Sequence, residues 1–147
     1  MESVTQLMSD KTQGEQALGA LGRIPGILDE QTLTHLLDVE LARARRYEHP
    51  FSLLRVRSSQ YSMLVETAGA LRMHTRWADS IGIVDGTALL VILRDTSLAG
   101  AQTAAVKILA ALSEELSAPM MSALMLDSAA WRKGDDRARL LARLSKA

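Results

Sequence analysis

The spacing of hydrophobic residues alternates along the chain between the period of a helix and that of a strand. The first helix is predicted from Asp29, a residue that caps helices well, to shortly before Pro50, which cannot continue one. An apolar run from Phe51 to Val56 has the length of a buried strand, and a shorter helix is predicted from about Gln60 to Thr75. The apolar residues at helical spacing in the first helix are Leu33, Leu36, Leu37, Val39 and Leu41.

A β-hairpin is the most distinct local feature of the sequence. Ser80 to Val84 and Thr87 to Leu93 are rich in Ile, Val and Leu. Asp85-Gly86 between them is the strongest short hairpin signal in the chain. We therefore expect two antiparallel strands in the middle of the element order.

The second half of the chain predicts two further helices and one strand. Caps within Asp95 to Ser97 begin a helix that runs to about Leu116, and Met120 to Leu126 predicts a strand. Gly134-Asp135-Asp136 then leads into a final helix. Its leucines are expected to point inward (Leu140, Leu141, Leu144) and its arginines outward (Arg137, Arg139, Arg143).

The predicted element order is α-β-α-β-β-α-β-α, without an internal repeat. Helices that alternate with strands around one hairpin favour an α+β fold, a ferredoxin-like sheet with helices packed on one face. Residues 1–23 are polar and weakly periodic, so we expect a flexible N-terminal arm before a domain over residues 24–147. An N-terminal helix that docks on a partner is the alternative interpretation.

Composition limits the classes of function. The 147 residues, 48% of them hydrophobic, suit one compact domain. Basic and acidic residues both number 17, so no net charge attracts a nucleic-acid polymer. The chain has no cysteine, which excludes disulfides and fits the cytoplasm. The longest apolar run, Ala88 to Leu93, is far below the roughly 20 residues that span a bilayer, so we expect no membrane insertion.

Two segments resemble the GGDEF domains of diguanylate cyclases. Ile24-Pro25-Gly26-Ile27-Leu28-Asp29 is similar to the LTGLxN opening of that family, and a long helix and an apolar strand follow it. Ala78 to Gly86 followed by Leu89 to Leu93 is similar to the family's strand, signature turn and strand. The resemblance covers about residues 24–146 and implies a shortened, nucleotidyl-cyclase-like sheet.

The sequence departs from the family where catalysis is carried out. In this register the signature turn is Asp85-Gly86-Thr87-Ala88-Leu89, so the acidic pair falls on Thr87 and Ala88. The first metal-binding aspartate falls on Arg57, and hard cations such as magnesium need oxygen ligands. The segment between the first strand and Arg76 is shorter than in the family. The asparagine, histidine and glycine-aspartate pattern with which the family holds its nucleotide is missing as well. We therefore expect neither cyclase activity nor a metal or other cofactor.

An RxxD motif remains at the position of the family's product-binding inhibitory site. Arg76-Trp77-Ala78-Asp79 stands five residues before the signature position, and the resemblance implies that it binds cyclic di-GMP. A guanidinium can bridge a phosphate or the O6 and N7 atoms of guanine, and a carboxylate can accept from guanine N1 and N2. Arg72 is a candidate second cation, and Trp77 a candidate stacking surface.

Structural interpretations compete with each of these assignments. Arg76 and Asp79 can form a surface ion pair with no ligand, and a tryptophan at a helix-strand junction is more often a packing residue. Arg57 is interpreted as an exposed arginine at a strand end, and the alternative is a guanidinium that binds an acidic neighbour or a phosphate in the vacated metal site. No nucleophile elbow, P-loop, GxGxxG or EF-hand motif is present, and the histidines are dispersed.

The leading hypothesis is a non-catalytic cyclic di-GMP receptor that signals to an unidentified protein partner or to a second copy of itself. Polysaccharide secretion, biofilm formation and motility are the bacterial processes that the resemblance implies. The alternative is a ligand-free pseudo-enzyme scaffold for protein contacts, with residues 1–23 as the docking segment. Residual catalysis on another nucleotide has no visible carboxylate cluster to support it.

Overall fold

The computed structural model describes residues 24–60, 62–76, 78–85 and 88–145. Five strands and five helices follow one another along this part of the chain. The strands are β1 (Ile27–Leu28), β2 (Phe51–Ser58), β3 (Ser80–Val84), β4 (Ala88–Arg94) and β5 (Leu124–Ala130). The helices are α1 (Glu30–Tyr47), α2 (Ser62–His74), α3 (Leu98–Glu115), α4 (Ala118–Ser122) and α5 (Arg137–Ser145). The predicted arm, residues 1–23, lies outside the described residues.

One mixed sheet in the order β1-β3-β4-β2-β5 organises the domain. β1 pairs with β3 in parallel, and every other neighbouring pair is antiparallel. The α+β class and the nucleotidyl-cyclase-like sheet are therefore confirmed. The position of the hairpin strands β3 and β4 is confirmed as well, with Ile81 opposite Val91.

Helices cover both faces of this sheet, so the prediction of a single covered face is wrong. One core lies between the sheet and helices α2 and α3, and includes Leu71, Ile81 and Ile108. The other lies between the opposite face and helices α1 and α5, and includes Leu33 and Leu140. Because β2 and β4 are central, their side chains are buried on both faces, and near-continuous apolar runs result.

Two sequence predictions in the C-terminal half are wrong. Met120 lies in helix α4 and not in a strand, because Ser117 caps that helix with a side chain that accepts from the Met120 N–H. The last strand consequently begins at Leu124. Arg143 does not point to solvent: its guanidinium contacts the buried carboxylate of Asp135 and donates to the carbonyl of Ala130.

The first helix begins as predicted. The Asp29 side chain accepts from the Thr32 N–H at 2.7 Å, and this contact with the backbone lowers the pKa of the Asp29 carboxyl. No described helix combines the length and the apolar character needed to cross a membrane.

Gly82 allows α1 to lie close to the sheet. A Cβ atom at this position would be 2.8 Å from the Leu33 Cβ and 3.0 Å from the carbonyl oxygen of Leu28. Gly82→Ala should therefore lower the free energy of unfolding by about 1–3 kcal/mol, measured by urea denaturation. Gly69→Ala in α2 is the matched control, because its Cβ would meet nothing within 4 Å and should be neutral or stabilise by up to about 1 kcal/mol. Equal midpoints for the two variants would contradict the packing argument.

The Asp135–Arg143 contact should make stability depend on pH. Hydrogen bonding from the Arg143 side chain holds the pKa of the Asp135 carboxyl below its usual range, against the opposing effect of burial. The folded-state pKa therefore lies below the unfolded value, so this stabilisation is complete above about pH 4 and is lost as pH falls through the folded pKa.

We expect Asp135→Asn to reduce the free energy of unfolding at pH 7 by about 1.5–3 kcal/mol, with the difference from wild type closing below about pH 4. Asp136→Asn is the control, because Asp136 is exposed and accepts from the Arg139 N–H at 2.8 Å. Asparagine caps a helix as well as aspartate does. A difference that persists unchanged at low pH would show that the carboxylate charge is not the cause.

Candidate functional site

Arg76 and Asp79 lie in the connection between α2 and β3, beside the end of β4 and the start of α3. The connection turns tightly, because the Asp79 N–H donates to the carbonyl of Arg76 at 3.0 Å. The turn brings the two side chains together, and the Arg76 Nη2 and Asp79 Oδ1 atoms are 3.2 Å apart. The structure thus joins the two residues that the motif predicted as a pair.

The Asp79 carboxylate is buried under the arginine. Its side chain is 2% exposed, whereas that of Arg76 is 60% exposed. The Asp79 Oδ2 atom accepts from the Arg76 backbone N–H at 3.0 Å and from Arg76 Nε at 3.4 Å. A buried carboxylate is strongly destabilising without such partners, so this pair differs from an exposed surface ion pair.

Arg76 also ties the connection to the end of β4. Its Nη2 donates to the carbonyl of Arg94 at 2.8 Å and to Thr96 Oγ1 at 2.9 Å. Thr96 Oγ1 in turn donates to the Arg94 carbonyl at 2.7 Å. One guanidinium therefore links the start of β3, the end of β4 and the entry to α3.

Arg72 supports the backbone of the motif. Its Nη1 donates to the carbonyl of Asp79 at 3.3 Å, and its Nη2 to the carbonyl of Arg76 at 3.1 Å. This places Arg72 beside Arg76, as helical spacing predicted, although its contacts hold the turn in shape. Trp77, the candidate stacking residue, lies outside the described residues.

A cavity of about 540 Å³ opens beside the motif. Both motif residues line it, together with the N-terminal half of α3 and the end of α2. That volume falls within the range of small-molecule sites, about 300–1,000 Å³. The polar residues of its wall are His74, Thr75, Arg76, Asp79, Asp95, Thr96, Ser97, Thr103 and Lys107.

Lys107 is a cation of this cavity that the sequence reasoning missed. It projects from α3 and makes no ion pair with any described residue. Helical spacing gave a signal, because Lys107 falls outside the apolar face formed by Ala101, Ala105, Ile108 and Leu112. Its distance of 31 residues from Arg76 in the sequence concealed that the two lie in one cavity.

The other charged side chains of the cavity wall have partners. His74 Nε2 lies 2.8 Å from Glu115 Oε1, and His49 Nδ1 lies 3.7 Å from Asp95 Oδ1. Asp95 is the exposed acidic group of the wall, since Asp79 is buried under Arg76, so an anionic ligand would be drawn toward Arg76 and Lys107 and away from Asp95.

The signature turn joins β3 and β4 at the opposite end of these strands. Asp85 adopts a positive φ of 52°, and its N–H donates to Glu30 Oε1 at 2.9 Å. Gly86 and Thr87 lie outside the described residues, and Ala88 is a buried residue of β4. The side chain of Ala88 offers no oxygen to a cation.

Arg57 forms an ion pair across the sheet. Its Nη2 lies 2.8 Å from Asp127 Oδ2, and Arg55 Nη2 lies 3.0 Å from the same oxygen. The Asp127 side chain is 10% exposed and that of Arg57 is 39% exposed. Arg57 is therefore partly exposed and has an acidic partner, which agrees with the second of its two interpretations. Within the described ranges, no group of three or more His, Cys, Asp or Glu side chains is placed to hold a metal ion.

Comparison with solved structures shows that this chain has the fold of GGDEF domains. The coiled coil and GGDEF domain of DgcB from Caulobacter crescentus, in complex with c-di-GMP, superposes with a TM-score of 0.71 at 13% identity over 99% of this chain and 92% of that one. The FimX GGDEF domain from Pseudomonas aeruginosa gives a TM-score of 0.69 at 14% identity, covering 82% of this chain and 86% of that one.

A third similar structure is longer than this chain. Diguanylate cyclase SiaD from Pseudomonas aeruginosa, in complex with its activator SiaC, gives a TM-score of 0.70 at 18% identity over 97% of this chain. The chain spans 62% of the length of that SiaD chain. No protein-family model matches the sequence, and no curated protein matches it either.

Arg72 should order the motif without touching a ligand. Arg72→Met removes both donors to the carbonyls of Arg76 and Asp79, so the Asp79 amide should exchange with deuterium faster. Arg46→Met is the control, because the Arg46 guanidinium lies 5.3 Å from the Tyr47 ring centre, on another helix. Equal exchange at Asp79 in both variants would contradict a supporting role for Arg72.

Proposed function

We propose that this chain is a non-catalytic receptor that binds cyclic di-GMP in the cavity beside Arg76 and Asp79. The observation that carries the proposal is the cavity itself, about 540 Å³, built around the RxxD motif with Lys107 in its wall. The fold comparison supports it, because DgcB, which shares the fold, is described in complex with c-di-GMP. An ion pair without a cavity would have favoured the ligand-free alternative.

Charge and geometry support a phosphate-containing ligand. The Arg76 side chain is 60% exposed, and its Nη1 atom can donate to guanine acceptors or phosphate oxygens while Nε and Nη2 contact Asp79. Lys107 supplies a second positive charge without a described acidic partner to neutralise it. Such a pair of cations suits a ligand with two purines and two phosphates.

The absence of catalysis is part of the proposal. Arg57 stands where a cyclase of similar fold would need a carboxylate, and its guanidinium would repel a divalent cation. Asp127 holds that guanidinium at 2.8 Å, so the positive charge is fixed at the strand end. The proposal therefore requires no metal and no cofactor.

The ligand-free scaffold remains the second candidate, because α3 exposes apolar side chains. Val106 is 67% exposed and Leu109 is 37% exposed on this helix. Exposed apolar groups of this kind serve protein contacts. The similarity to SiaD, which is described with an activator protein, agrees with either candidate.

We expect calorimetric titration with cyclic di-GMP to show binding that Arg76→Lys weakens by about 1–3 kcal/mol, because lysine has one nitrogen where arginine contacts Asp79 and the ligand through separate nitrogen atoms. Lysine keeps the positive charge over the buried Asp79 carboxylate, whereas Arg76→Ala would leave that carboxylate unpaired and also destabilise the fold.

Lys107→Gln tests the cation of α3, and Arg139→Ala is the control. Lys107→Gln should weaken binding without a loss of stability, because Lys107 has no described ion pair to break. Arg139 is exposed on α5, away from the cavity, and its substitution should leave affinity unchanged. No heat with the wild-type chain would reject the receptor and favour the scaffold. Turnover of GTP with magnesium would reject the non-catalytic half of the proposal.

A further inference from the structure

Strand β5 lies at one edge of the sheet, because it pairs with β2 on one side and with no described strand on the other. The Trp131 N–H, directly after β5, donates to the Phe51 carbonyl at 2.9 Å. Backbone direction alternates along a strand, so the odd-numbered residues of β5 bond to β2 and the even-numbered ones point outward. The outer edge therefore consists of the N–H and C=O groups of Leu124, Leu126, Ser128 and Ala130.

Most of this edge is unpaired in the part of the chain that the structure describes. The Ala130 carbonyl accepts from Arg143 Nη2 at 2.6 Å. The outward N–H and C=O groups of Leu124, Leu126 and Ser128 have no hydrogen-bond partner among the described residues. Unpaired backbone groups in a row are a template on which a further strand can form.

The usual protection of a sheet edge is missing from β5. Proteins block edges with very short strands, lysine, proline or a bulge. The opposite edge is formed by β1, which has 2 residues, whereas β5 has 7, with the sequence LMLDSAA and a continuous register against β2. Its one charged side chain, Asp127, is 10% exposed and is held by Arg55 and Arg57. The strand therefore keeps its capacity to pair.

The sequence of β5 is complementary to itself in one antiparallel register. With a two-fold axis at Leu126, Leu126 faces its own copy and Leu124 faces Ser128, so all the unpaired outer groups form about six hydrogen bonds. Met125, whose side chain is 51% exposed, then lies opposite Asp127 of the second copy. A register centred on Asp127 would instead set two carboxylates against each other, which is destabilising.

Helix α3 adds an apolar surface beside this edge. Lys107 lines the cavity next to α2, and Leu109 points about 160° away from it around the helix, past the other side of α3. Val106, almost one turn before Leu109, is 67% exposed, and Leu109 is 37% exposed. These side chains lie on the surface that a strand added to β5 would approach.

The spacing of the elements allows two copies of α3 to pack together. The helix contacts both β2 and β5, so pairing of two β5 strands places the two helices on the same face, about 10 Å apart across the joined strands. Packed helices are separated by about 8–10 Å. A stable interface buries about 800 Å² on each partner, which requires the helix contact in addition to the strand edge.

We propose that β5 pairs with β5 of a second copy of this chain, in the antiparallel register centred on Leu126, and that Val106 and Leu109 of the two copies pack over the joined strands. The five strands of each copy then form one continuous sheet. The cavity beside Arg76 lies toward α2, on the other side of α3. The pairing therefore needs no cyclic dinucleotide and does not depend on the proposed function.

Sedimentation equilibrium of the full chain without nucleotide tests the pairing. We expect a dimer at about 100 μM, and Ser128→Pro should weaken it at least about tenfold, because proline removes an outward N–H and is tolerated at a strand edge. Leu109→Lys should have a similar effect, since it brings two like charges together near the axis. Met73→Lys is the control, because Met73 is 78% exposed on α2, away from β5, and should leave the dimer unchanged.

A single cysteine tests the register. The chain has no native cysteine, so mild oxidation of Leu126→Cys should give a disulfide-linked dimer. Opposed Cα atoms of a hydrogen-bonded antiparallel pair are about 5.5 Å apart, which a disulfide can span. Met73→Cys should remain unlinked under the same conditions.

The outcomes separate this inference from its alternatives. A wild-type chain that is monomeric at about 100 μM overturns it and leaves the edge to an extended segment of another protein. A dimer that resists Leu109→Lys and is not linked through Leu126→Cys uses another surface, which also overturns it. A dimer that forms only with cyclic di-GMP would support the proposed function and overturn this inference. Thermal unfolding shows whether Ser128→Pro folds, and the other two variants decide the question if it does not.

Discussion

The buried carboxylate of Asp79 constrains the whole candidate site. A carboxylate that is 2% exposed must be neutralised within the protein, and Arg76 is the cation that neutralises it. In doing so Arg76 is fixed between the start of β3 and the end of β4, where it lines the cavity. The electrostatic requirement of one buried carboxylate thus determines where the guanidinium of the candidate site lies.

A buried carboxylate paired with an arginine recurs elsewhere in the domain. Asp135 is 6% exposed and is held by Arg143, and Glu40 is 4% exposed, with its Oε1 atom 2.7 Å from Arg94 Nε. The Glu40–Arg94 pair joins α1 to the end of β4, which is distant in the sequence, whereas the Asp135–Arg143 pair joins the start of α5 to its last turn. The Arg94 carbonyl also accepts from Arg76 Nη2, so one residue contacts both α1 and the RxxD motif.

Local patterns predicted the elements better than they predicted the contacts between them. The cap at Asp29 and the strand Ser80–Val84 follow from residues close in sequence, and both are confirmed. The strand predicted over Met120 to Leu126 failed because Ser117 and Pro119 start a short helix that competes with it. Hydrophobic content alone did not reveal that competition.

The candidate site shows the same contrast between what local sequence patterns predict and what tertiary contacts decide. Sequence register located Arg76 and Asp79, but the burial of Asp79 could not be read from the motif, because it depends on how Arg76 folds over the carboxylate and contacts the end of β4. Lys107 depends on how α3 lies against α2, which no local spacing encodes. The spacing of charges within a helix predicts a face, and only tertiary packing decides what that face meets.

The cross-strand pair of Arg57 and Asp127 has a consequence for how such a domain can evolve. A single change of Arg57 to an acidic residue would place a second carboxylate beside Asp127, whose side chain is 10% exposed. Two like charges at that depth repel, and Arg55, whose Nη2 atom lies 3.0 Å from the same Asp127 oxygen, would have to neutralise both, so the change should weaken the sheet. An acidic residue at position 57 would be better tolerated if Asp127 were replaced at the same time. The cross-strand pair thus limits which single substitutions the strand end accepts.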